Sequence, residues 1–132
     1  MSDLALDSRT DRLDLEVPQY RAVIKFSRQG KLDHESIAKG LEGLVDRIGM
    51  KLAVPGIVTG WCLKGLGGWA HITTSCISLM EYWMGGEQIL VTVEMYSCQE
   101  FDPADAADFL AGHFGIAPGE MRVYRAELVL MS

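Results

Sequence analysis

Residues 69–98, WAHITTSCISLMEYWMGGEQILVTVEMYSC, hold two runs rich in β-branched and aromatic residues, separated by Met84-Gly85-Gly86-Glu87. Such side chains suit the pleated surface of a sheet, and paired glycines supply the backbone freedom of a tight reversal. The stretch therefore predicts strands folded back on each other, and QILVTVEMYSC, residues 88–98, is the clearest strand in the chain.

Towards the N-terminus, KLAVPGIVTGWCLKG (51–65) is further strand material, with Pro55-Gly56 demoting that part to an edge or a bend. Gly65, Gly67 and Gly68 read as a hairpin turn. Before them, Asp33 is a plausible N-cap, Ile37, Leu41, Leu44, Val45 and Ile48 recur at helical spacing, and Gly49 supplies a stop. YRAVIKF (20–26) alternates as a strand, with Tyr20, Ala22, Ile24 and Phe26 on one face.

Downstream, Asp102-Pro103 opens a second helix with a cap and a proline at its first position. Ala106, Phe109, Leu110 and Phe114 form its apolar face, Gly115 ends it, and EMRVYRAELVLM (120–131) reads as the last strand. Two single helices, each with one apolar face, and mainly hairpin-linked strands predict an α+β two-layer sandwich. Its antiparallel-rich sheet has about five strands, with both helices on one face. Residues 1–19 read as an N-terminal arm and residues 20–132 as a single domain. The other face of the sheet needs a cover, and a homodimer supplies one economically.

The 132 residues, 48% of them apolar, suffice for one domain with a real core. A net charge of -6 argues against nucleic acid as a partner, because phosphate backbones are bound by clustered Lys and Arg. Cys62, Cys76 and Cys98 are an odd set without paired spacing, which fits a reducing, cytoplasmic setting. No apolar run approaches the roughly 20 residues of a membrane span. His34, His71 and His113 fall on three different elements with no ligand spacing, so no metal site is expected. KGLGG lacks the following helix of a phosphate loop.

One constellation carries more chemistry. TTSCISLMEYW (73–83), followed by VEMYSCQEFDPADAADFL (93–110), resembles the bacterial and archaeal S-adenosylmethionine decarboxylases in element order and in the spacing of its two blocks. The likeness runs from about Tyr20 to Leu128. On that resemblance Ser75 falls on the family's reactive serine, and Ile77 and Ser78 match the same block. Tyr96-Ser97-Cys98 and Asp102-Pro103 match the second block.

The resemblance implies that the Ser75 hydroxyl attacks the preceding carbonyl and that Ser75 becomes a pyruvoyl group. That group would form a Schiff base with the amine of S-adenosylmethionine or a related amino acid and serve as electron sink for decarboxylation, a step of polyamine biosynthesis. Cys98 would be the proton donor, Trp61 would hold the adenine, and Glu87 would hold ribose hydroxyls. At the processing positions the chain departs from the family, with Thr74 for Glu, Cys76 and Met80 for two His, and Gly67 for Ser. Methionine and glycine side chains transfer no protons. Three readings follow: a decarboxylase matured at Ser75; an unprocessed relative that uses the S-adenosylmethionine-type pocket for lyase or cyclisation chemistry; and a protein that binds a ligand or partner without catalysis.

Overall fold

A computed structural model describes residues 19–126. All of the N-terminal arm except Gln19, and the end of the last strand from Glu127, lie outside the described residues. The elements run β1 (Tyr20–Gln29), α1 (His34–Arg47), β2 (Val58–Cys62), β3 (Gly65–Ile72), β4 (Ser75–Gly85), β5 (Gln88–Ser97), α2 (Pro103–Phe114), a 3-10 turn (Pro118–Glu120) and β6 (Arg122–Ala126). The strands form one antiparallel sheet in the order β2-β3-β4-β5-β1-β6. The fold is α+β, with one six-stranded open sheet and two helices among the described residues.

Local signals account for both helices. The Asp33 carboxylate accepts the Ser36 N–H at 2.7 Å, satisfying an amide that the first turn leaves free. Ile37, Leu41 and Leu44 of α1 are fully buried, each stabilising the fold by about 1.5–3 kcal/mol relative to exposure. Asp102 caps α2 through the Ala104 N–H at 3.0 Å, and Gly115 ends that helix in the left-handed conformation, φ 71°. The helices pack against each other where α1 has no side chains: a Cβ on Gly43 would fall within the Phe109 ring, and one on Gly40 would meet His113 and Phe114. His113 Nε2 also lies 2.8 Å from the Ser36 carbonyl oxygen, and Arg47 donates to both oxygens of Asp105.

Both helices cover the side of the sheet that carries Ala22, Ile24 and Phe26 of β1, Ile77 and Leu79 of β4, and Ile89, Val91, Val93 and Met95 of β5. Period-two alternation places Cys76, Ser78, Met80 and Tyr82 on the opposite, helix-free face. That face also carries Arg21, Lys25, Thr92 and Glu94 beside Val23, Leu90 and Tyr96, a mixture of polar and apolar side chains.

The sheet has six strands where about five are expected, because the run 69–83 is two strands joined by a turn at Thr73–Thr74. The glycines Gly65, Gly67 and Gly68 lie inside β3, and the preceding reversal is at Leu63–Lys64. Close approach explains them better than turning does. A Cβ on Gly65 would collide with the backbone carbonyl of Glu81, and one on Gly68 with Ile37 and Leu41 of α1.

Candidate functional site

The turn between β3 and β4 is the centre of the candidate site. Ile72 and Ser75 are paired, so only Thr73 and Thr74 make the reversal. Two-residue hairpins favour residues with positive φ, and neither threonine has it. The turn is instead anchored from outside. On one side the Thr73 N–H donates to the Lys51 carbonyl at 2.9 Å, and the Ala53 N–H donates to the His71 carbonyl at 2.8 Å. On the other side the Cys98 N–H donates to the Thr74 carbonyl at 3.3 Å.

Side chains complete the anchorage. Ser97, 1% exposed, donates its hydroxyl to Thr74 Oγ1 at 2.7 Å and accepts the Gln99 N–H at 3.0 Å. The Thr74 hydroxyl in turn lies 3.6 Å from Met50 Sδ, a weak acceptor. Ser75 opens β4 directly opposite Ser97 in the ladder. The carbonyl before Ser75 is thus held by one amide, and the side chain of the same residue by a buried hydroxyl.

Replacing Thr74 by Val keeps the shape but leaves the buried Ser97 hydroxyl without its acceptor. Thr74→Val is expected to lower stability by about 1–2 kcal/mol in denaturant unfolding. An unchanged unfolding midpoint would show that the hydroxyl pair does not hold the turn.

Of the residues singled out in the sequence, Thr74, Ser75 and Cys98 meet at this turn. Cys76 is exposed on the helix-free face, flanked in register by His71 and Tyr96. Gly67 and Met80 pair with each other further along that face, and Met80 Sδ lies 3.8 Å from Cys62 Sγ. Trp61 pairs with Leu66, six residues from Ile72 along β3, which places it about 20 Å from the Thr73–Thr74 turn. Glu87 lies in the β4–β5 reversal at the far end of both strands, about 30 Å from Ser75. Within one chain, neither Trp61 nor Glu87 is beside Ser75.

No protein-family model and no curated protein matches the chain.

A second polar centre lies at the Trp61 end of the sheet. Glu81 is 1% exposed and accepts three hydrogen bonds: from the Leu32 N–H at 2.6 Å, the Leu66 N–H at 3.0 Å and Trp83 Nε1–H at 2.9 Å. The carboxyl group therefore ties the segment before α1 to β3 and fixes the Trp83 indole. Lys31 Nζ then sits 4.3 Å over the Trp83 ring, Trp61 meets Trp83 edge-on with centroids 5.9 Å apart, and His34 meets Trp61 edge-on. The motif match includes Ser97 only as part of Tyr96-Ser97-Cys98, without a role, and it assigns nothing to Glu81. Glu81 nevertheless leaves a trace, since it follows Ser75, Ile77 and Leu79 at period two in β4 and so falls on their buried side.

A cleft of about 470 Å³ lined by Lys25, Ser27, Leu90, Glu120 and Arg122 opens elsewhere, along β1, β5 and the 3-10 turn. Leu90 is seven residues from Ser97 along β5, so this cleft does not adjoin Ser75.

Proposed function

We propose that this chain is a divergent relative of the pyruvoyl-dependent S-adenosylmethionine decarboxylases and that it cleaves itself between Thr74 and Ser75. The observation that supports this reading most is the hydrogen bond from the Cys98 N–H to the Thr74 carbonyl, directly before Ser75. An amide aimed at that oxygen fixes the carbonyl and stabilises negative charge that develops there during attack.

In this reading the Ser75 hydroxyl oxygen attacks the Thr74 carbonyl carbon, and the amide bond to the Ser75 nitrogen is replaced by an ester. Loss of the Ser75 α-proton with rupture of the Cβ–O bond releases Thr74 as a carboxylate terminus. The dehydrated residue left at position 75 takes up water, loses ammonia and becomes the pyruvoyl group. That group supplies an electron sink for loss of CO₂ from S-adenosylmethionine or a related amino acid. Cys98 adjoins the cleaved bond, which suits the role of proton donor to the decarboxylated carbon.

A different reading draws on Gly67 and Met80. They pair with each other on the helix-free face, and neither can move a proton. An unprocessed relative that binds a ligand or does other lyase chemistry fits that pair. The readings part on one comparison. Purified wild-type chain incubated beside the Ser75→Ala variant is expected to give two bands on denaturing electrophoresis while the variant gives one. A single wild-type band together with a thermal shift on adding S-adenosylmethionine would support the unprocessed reading instead.

A further inference from the structure

The outer edge of the sheet at β2 differs from the edge at β6. Residues 52–63, LAVPGIVTGWCL, include no charged side chain, and among the described residues β2 is the outermost strand on that side. The described part of β6 carries Arg122 and Arg125. Edge strands offer unpaired N–H and C=O groups to any extended segment, and charges on the edge are a common protection against such pairing. The β6 edge has that protection and the β2 edge does not.

Exposed apolar side chains collect at the unprotected edge. Val58 is 63% exposed, Trp61 67% and Leu63 96%, and Tyr82, Trp83 and Met84 of β4 are exposed nearby. Trp61 is also held in place, edge-on to Trp83 and to His34, while His34 is fixed by Thr59 at 2.6 Å. An exposed indole that is already immobilised loses little entropy when a partner covers it.

We propose that β2 is a dimer interface at which two copies of this chain join edge to edge, antiparallel about a two-fold axis through Gly60, to make one continuous sheet. The sequence VTGWC (58–62) is self-complementary in that register. Gly60 lies opposite its own copy and brings no side chain to the crossing. Each Thr59 faces the Trp61 of the second copy, a favourable β-branched and aromatic pair. Each Val58 faces Cys62 of the second copy, and no like charges oppose each other. This interface is independent of self-cleavage at Ser75, and it leaves the helix-free face open.

A register-specific cross-link tests it. Directly opposite residues of antiparallel strands have Cα atoms about 4.5–5.5 Å apart, within disulfide range, whereas residues 58 and 62 of one strand are about 13 Å apart. Val58→Cys is expected to form a covalent dimer on mild oxidation, and the V58C/C62S double variant is not. By light scattering the wild type is expected at twice the chain mass, V58K and W61K at the chain mass with unchanged circular dichroism, and T92K on the helix-free face still at twice the chain mass. The proposal is overturned by a monomeric wild type across a dilution series. It is equally overturned by a dimer that survives both edge lysines or is dissociated by T92K.

Discussion

Glu81→Ala is expected to cost the protein on the order of 4 kcal/mol. The substitution leaves the Leu32 and Leu66 amides buried without an acceptor, each worth about 1–3 kcal/mol, and takes the acceptor from the part-buried Trp83 indole N–H. Against a total stability of about 5–15 kcal/mol that is a large fraction. It corresponds to a fall in Tm on the order of 15 °C for a chain of this size. Glu81→Gln is expected to lie between. Its single carbonyl oxygen can serve the Leu66 and Trp83 donors, but its amide group would face the Leu32 N–H, donor against donor. Thermal unfolding of the three proteins checks the order. A Glu81→Ala variant that melts with the wild type would mean that these donors find other partners.

Gly65→Ala is expected to destabilise by about 3 kcal/mol or more, from a change of one methyl group. The added Cβ would collide with the carbonyl oxygen of Glu81, and backbone cannot rotate out of the way as a side chain can. Relief requires the β2–β3 reversal to move, which also strains the bond from the Trp83 N–H to the Lys64 carbonyl. Gly112→Ala is the contrasting case. Its Cβ on α2 would meet nothing within 4 Å, so alanine there is expected to stabilise by about 0.5–1 kcal/mol. Equal behaviour of the two variants in urea unfolding would contradict the packing described for β3.

These two positions show where sequence patterns are informative and where they stop. The helix caps Asp33 and Asp102, the stops at Gly49 and Gly115, and the reversal near Gly85-Gly86 are local signals, and the structure has each of them. Gly65, Gly67 and Gly68 mislead because glycine serves both turns and close approach, and only the neighbouring strand and helix decide between them. The Thr73–Thr74 turn is hidden for a related reason. Two β-branched residues favour strand, and what bends them is a set of contacts with Lys51, Ser97 and Cys98 that are distant in sequence. Ser75 and Cys98 lie at one end of the β4–β5 ladder, whereas Trp61 and Glu87 lie at the other end of long strands. Pairing register sets those distances, and a single sequence does not display register.

Mass spectrometry of the intact, freshly purified and then aged chain tests the central claim most directly. Self-cleavage gives two fragments that meet between Thr74 and Ser75, and the C-terminal one gains mass with a hydrazine reagent because its first residue carries a ketone. A single species at the full-length mass that stays unreactive after prolonged incubation would contradict it.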